Sequence, residues 1–97
     1  MRLDGKNVFI TGGSRGIGKS ICIALAKEGA NVAFTYFERT DMANEVIEEI
    51  EKHGRKALSF KCDVRDRTGL KNLFQNLKSD WGSIDILINN AGINKPT

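Results

Sequence analysis

Apolar and polar positions alternate between two kinds of segment from one end of the chain to the other. Asn7-Val8-Phe9-Ile10-Thr11 is a short apolar run stopped by two glycines, and it predicts a buried first strand. From about Gly16 to Glu28, the residues Ile17, Ile21, Cys22, Leu25 and Ala26 recur at offsets of four, five, eight and nine, one stripe of a helix that Gly29 ends. Asn31-Val32-Ala33-Phe34-Thr35-Tyr36 predicts a second strand. Asp41 is placed to cap a second helix that turns Met42, Val46, Ile47 and Ile50 inward and stops at Gly54. Ala57-Leu58-Ser59-Phe60-Lys61-Cys62 reads as the third strand. Leu70, Leu73, Phe74, Leu77 and Trp81 then fall at offsets of zero, three, four, seven and eleven, a third helix, before Asp85-Ile86-Leu87-Ile88 gives a fourth strand. The strand runs are only four to six residues long, the length expected of strands enclosed on both faces of a parallel sheet. The pattern is that of βαβ units, an α/β chain with four strands and three helices.

Composition narrows the class without changing the pattern. A chain of 97 residues fits one domain, spanning 1–97, and 40% hydrophobic with 28% charged residues is ordinary for a globular protein. The net charge of +3 is spread along the chain, which gives no footprint for a nucleic acid partner. No apolar run approaches the roughly 18 residues of a membrane span, and Met1-Arg2-Leu3-Asp4-Gly5-Lys6 lacks the apolar centre of a signal peptide, so a cytoplasmic protein without a membrane partner is expected. Cys22 and Cys62 form no CxxC and have no histidine cluster beside them; they read as reduced, packed thiols, and no metal site is expected. His53, the single histidine, is expected at the surface near a helix end.

Between the first strand and the first helix lies Thr11-Gly12-Gly13-Ser14-Arg15-Gly16-Ile17-Gly18-Lys19-Ser20, where a glycine turn can bring backbone N–H groups and a helix N-terminus onto phosphate oxygens. Two phosphate motifs overlap there. Residues 13–20 satisfy GxxxxGK[ST], in which Lys19 would reach the outer phosphates and Ser20 would hold magnesium, the signature of a P-loop NTPase or kinase. That alternative also wants a carboxylate at the end of an apolar strand. Asp85 precedes its strand, and Asp63 follows a run broken by Lys61. The other spacing, TGxxxGxG at 11–18, together with Asp63-Val64 after the third strand and Asn89-Asn90-Ala91-Gly92 after the fourth, resembles the short-chain dehydrogenase/reductase family in order and spacing. Within it the chain looks most like the 3-oxoacyl-(acyl-carrier-protein) reductase branch.

The resemblance implies a Rossmann-type doubly wound sheet, here in part, with strand order 3-2-1-4. It implies that Gly12, Ser14, Arg15, Gly16, Ile17 and Gly18 line the pyrophosphate and adenosine ribose of a nicotinamide dinucleotide. Asp63 would accept from the adenine amino group with Val64 bordering the ring, unless Asp63 only caps the third helix. Asn90, Ala91 and Gly92 would run past the cofactor, with Asn90 at a ribose and Asn89 structural. At the end of the second strand Tyr36 and Phe37 stand where NAD enzymes carry a carboxylate, and Arg15 stands where NADP-using relatives are commonly basic. NADP is the expected cofactor, with Glu38 weighing against it and Arg39 as a compensating cation.

The family's serine and Tyr-x-x-x-Lys pair are not found. Tyr36 is the only tyrosine and has Thr40, not lysine, four residues on, so no catalytic residue is named and the 97 residues alone are expected to be inactive. The chain is expected to be a fragment of a longer reductase of a 3-oxoacyl or related carbonyl, homo-oligomeric when full length. By itself it should melt at low temperature or aggregate through the open edge of its fourth strand; a sharp, reversible transition of a monomer in a thermal melt would contradict this.

Overall fold

A computed structural model describes residues 2–13, 16–63 and 65–90. Its elements are β1 (Asn7–Thr11), α1 (Gly16–Lys27), β2 (Asn31–Tyr36), α2 (Thr40–Lys52), β3 (Ala57–Lys61), α3 (Arg67–Trp81) and β4 (Ile86–Asn89). The four strands are parallel in the order β3-β2-β1-β4. Successive steps from β1 to β2 to β3 run in one direction, so right-handed crossovers put α1 and α2 on the same face. The step from β3 to β4 runs back across the sheet and carries α3 to the other face.

Side-chain alternation divides the core accordingly. Val8, Ile10, Val32 and Phe34 point toward α1 and α2, where they meet Cys22, Ala26, Ala43, Val46 and Ile50. Phe9 and Ala33 point toward α3 and pack with Leu77, flanked by Leu70, Leu73, Phe74 and Trp81; the Phe9 and Phe74 rings lie 5.9 Å apart. Burying each of these large side chains contributes roughly 1.5–3 kcal/mol. Enclosure on both faces holds for β1 and β2 and fails for the outer strands. Leu87 of β4 is 58% exposed and Leu58 of β3 is 36% exposed, because both share the row of Phe9 and Ala33 and a single helix is too narrow to cover four strands.

Several local expectations shift by a residue. Asp41 does not cap α2. The helix begins at Thr40, its cap position is Arg39 with no side-chain bond, and the Asp41 carboxylate accepts instead from Arg39 Nε and Nη2 at 3.1 and 2.9 Å. Ile17 is not on the buried stripe of α1 but 60% exposed, since the stripe is rotated by one residue and runs through Gly18, Cys22 and Ala26. Cys62 lies beyond the end of β3, and Asp85 lies ahead of β4, where its carboxylate accepts the Asn7 N–H at 2.8 Å. His53 takes the C-cap position of α2 and is half-buried. The α3 cap is Asp66, whose Oδ1 accepts from Gly69 N at 3.0 Å. Asp66→Ala should therefore cost about 1 kcal/mol, readable as a lower urea midpoint with an unchanged slope.

Candidate functional site

Parallel pairing brings the C-terminal ends of all four strands to one edge. From β1 the chain turns to α1 on one face, while the neighbouring β4 is reached through α3 on the other, which opens a crevice where the strand order reverses. Gly12 and Gly13, which follow β1, lie on the floor of that crevice and are tied from the β2 and β4 sides. Gly12 N donates to Thr35 Oγ1 and Gly13 N to the Thr35 carbonyl, both at 3.0 Å. From the β4 side, Asn90 Nδ2 donates to the Gly12 carbonyl at 2.9 Å, and Thr11 Oγ1 donates to Asn89 Oδ1 at 3.1 Å. Beneath the turn, Cys22 Sγ lies 3.8 Å from the Gly13 carbonyl; burial pushes this thiol up to about 12, so it stays protonated and serves as packing.

Two glycines show why no larger residue suits the turn. Gly12 has φ +74°, a conformation in which a Cβ is strained. Gly18, on the first turn of α1, would drive a Cβ into the Gly12 carbonyl and to 2.7 Å from Asn90 Nδ2. The helix N-terminus is thus pressed directly on the strand–helix turn, with no acidic residue in the first turn of α1 to oppose an anion. Asn90 is fully buried, and among the described residues its Oδ1 has no hydrogen-bond partner, an orphaned acceptor under the crevice. Thr35, which nothing in the sequence singled out, is as central to this geometry as the glycines.

The P-loop alternative finds no support in this arrangement. Ser20 Oγ folds back to the Gly16 carbonyl at 3.4 Å. Among the described residues no three His, Cys, Asp or Glu side chains gather where they could hold a metal ion, and no helix is long and apolar enough to cross a membrane.

Tyr36 and Lys61 end their strands side by side, with Phe37 beyond them 52% exposed at the rim. Tyr36 is half-buried and packs its ring against the α1–α2 core, whereas Arg39 stands clear and forked onto Asp41. At the end of β3, Asp63 leaves the capping of α3 to Asp66. Its carboxylate accepts from the Arg65 guanidinium at 2.8 and 3.0 Å and from the Arg65 backbone N–H at 3.0 Å, contacts that hold it below the usual carboxylate range, the guanidinium bond foremost. Next to it, the Cys62 thiol is pushed up by partial burial and then by the Asp66 and Asp63 charges. The residues that the sequence suggests for a site, Gly12, Gly16, Ile17, Gly18, Tyr36, Phe37, Asp63 and Asn90, thus lie along one edge of the sheet. Ser14, Arg15, Val64, Ala91 and Gly92 lie outside the described residues.

Comparison with known proteins meets this geometry. The family profile described as short chain dehydrogenase matches residues 6–97. The chain belongs to that family. It is 42% identical over 90 residues to a 3-oxoacyl-(acyl-carrier-protein) reductase FabG of Staphylococcus epidermidis, and 47% identical over 88 residues to the short-chain dehydrogenase/reductase FrzI of Cladobotryum. Among solved structures it superposes on a short-chain dehydrogenase/reductase of Serratia marcescens with a TM-score of 0.89 at 43% identity, covering 93% of this chain and 37% of that one. It also matches a short chain dehydrogenase of Burkholderia cenocepacia in complex with NADP, with a TM-score of 0.86 at 40% identity over 90% of this chain and 36% of that one. The match covers 93% of this chain, which spans only 37% of the length of the staphylococcal reductase. The parallel sheet in order 3-2-1-4 is therefore the short-chain dehydrogenase form of the Rossmann fold, and the chain is of an oxidoreductase family.

Proposed function

We propose that residues 1–97 are the adenosine and pyrophosphate half of an NADP-binding site in a reductase of 3-oxoacyl or related carbonyl groups. The observation that carries this reading is the contact of the Gly18 backbone with the Gly12 carbonyl and Asn90, which sets an unencumbered helix N-terminus at the point where the strand order reverses. Backbone N–H groups there meet a pyrophosphate at close range, and the orphaned Asn90 Oδ1 is an acceptor within the same floor. Gly12, Ser14, Arg15, Gly16, Ile17 and Gly18 would hold the phosphates and ribose. Asp63 and Val64 would read adenine, and Asn90, Ala91 and Gly92 would flank the rest of the dinucleotide. When bound, a nicotinamide dinucleotide supplies the hydride for carbonyl reduction.

The preference for NADP rests on residue types. Tyr36 and Phe37 leave the end of β2 without the carboxylate that would repel a 2′-phosphate, and Arg15 offers a guanidinium suited to one. Glu38 opposes this and Arg39 stands nearby, although Asp41 already engages one edge of its fork. The 97 residues supply binding groups but not the family's Tyr-x-x-x-Lys pair, so binding without turnover is expected of them. Titration of the purified chain with NADPH, NADH and Mg-ATP, followed by nicotinamide fluorescence and competition, should give binding in that order. Tight magnesium-dependent ATP binding without dinucleotide affinity would overturn the reading.

A further inference from the structure

An ionised carboxylate offers about four acceptor positions on its two oxygens. On Asp63 three donors already occupy three of them. Oδ1 takes the Arg65 backbone N–H at 3.0 Å and Arg65 Nε at 3.0 Å, while Oδ2 takes Arg65 Nη2 at 2.8 Å. The fork covers both oxygens at once, yet it is a surface contact. The Arg65 side chain is 82% exposed and that of Asp63 is 35% exposed, so a ligand in the crevice can compete for the carboxylate. The next residue that could have taken the guanidinium, Asp66, is committed to the α3 cap at 3.0 Å. Arg65 is thus held on Asp63 by a two-point fork and a backbone bond.

We propose that Arg65 is a specificity-determining residue that blunts purine selection by Asp63. This inference rests on the reading of Asp63 as the group facing the adenine amino. That amino group is a donor and suits a bare carboxylate, whereas the 6-oxo group of hypoxanthine is an acceptor and is repelled by one. With the guanidinium on Asp63, the same spot offers fewer free lone pairs to an amino group and presents Arg N–H donors that a 6-oxo group accepts. Adenine competes with the fork for the carboxylate's lone pairs; a 6-oxopurine does not. The carboxylate and the guanidinium therefore pull purine choice in opposite directions.

The test uses neutral nucleosides, so that loss of a cation does not change attraction for phosphates. Binding of adenosine and inosine to the 97-residue chain is measured by NMR titration in the wild type, Arg65→Ser and Arg65→Lys. Serine keeps the backbone N–H on Oδ1 and removes only the fork. The adenosine-to-inosine affinity ratio should rise roughly two- to fivefold in Arg65→Ser, the range of an exposed ion pair, with Arg65→Lys between the two because an ammonium cannot fork. Added salt should raise the ratio in the wild type and leave it unmoved in Arg65→Ser. A wild-type preference for adenosine whose ratio stays level or falls in Arg65→Ser overturns the role of Arg65 alone. Equal binding of the two nucleosides in all three proteins, or binding of neither, overturns the reading of Asp63 beneath it.

Discussion

Gly18→Ala should cost about 3 kcal/mol, shared between a loss of chain stability and a loss of NADPH affinity that reaches roughly two orders of magnitude where all of it falls on binding. The added methyl has nowhere to go. Its nearest neighbours would be the Gly12 carbonyl oxygen and carbon and the Asn90 amide nitrogen, which are backbone or fully buried and cannot swing aside. Overpacking of a close-packed site costs typically 1–3 kcal/mol, and backbone obstruction puts this case at the top of that range. Relief requires α1 to back away from the turn, which separates the helix N-terminus from the N–H groups of the loop. If all of that cost falls on the binding geometry, about 3 kcal/mol corresponds to about a hundredfold in affinity. Gly54→Ala is the control. Gly54 has φ +76° but open space where its Cβ would stand, and it follows α2 at the far end of the sheet. It should cost roughly 1–2 kcal/mol of stability and leave NADPH affinity unchanged. Equal losses of affinity in the two variants would mean that binding follows global stability and not the Gly18 contact.

The sequence and the structure agree where a feature is local and disagree where it depends on what lies across the sheet. Glycine spacing and apolar runs were enough to place every strand and helix, because period and punctuation are written into neighbouring residues. Thr35 could not be found that way. Its hydroxyl and carbonyl hold Gly12 and Gly13, residues more than 20 positions earlier, and only the parallel register of β2 on β1 brings them together. Ile17 fits a helical stripe by spacing, yet at the mouth of α1 no element among the described residues buries it. Asp41 has the right chemistry for a cap but the wrong offset, since the first helical bond runs from Ala43 N to the Arg39 carbonyl. The exposure of Leu87 follows from counting helices per face, a quantity that an apolar run does not carry. Likewise, the sequence offered Asp63 two roles, adenine acceptor or helix cap, and the cap went to Asp66 three residues on. What it could not offer was the Arg65 fork, which depends on the turn geometry between β3 and α3.

Asn90→Asp should be the most pH-sensitive change available in this chain. Asn90 is fully buried, and its Nδ2 is the donor that links β4 to the Gly12 carbonyl at 2.9 Å. An aspartate has the same shape, but ionised it sets an oxygen against that carbonyl and buries a charge with no cation among its described contacts. Both effects raise the folded-state pKa of the new carboxyl above its unfolded value of about 3.9. The folded protein then binds more protons than the unfolded one between those two values, so stability falls as pH rises across that window and levels off above it. At pH 7 the loss relative to the wild type should be about 3 kcal/mol, the lower end for an uncompensated buried charge. Near pH 4 most of it should return, because a protonated carboxyl can donate to the Gly12 carbonyl as the amide does. Asn90→Ala removes the donor without adding charge, and its cost of about 1–2 kcal/mol should not vary with pH. The comparison is made on the difference in urea midpoint between each variant and the wild type at pH 4 and pH 7. A difference for Asn90→Asp that does not grow with pH would show that the β4 amide is not what fastens the glycine turn to the sheet.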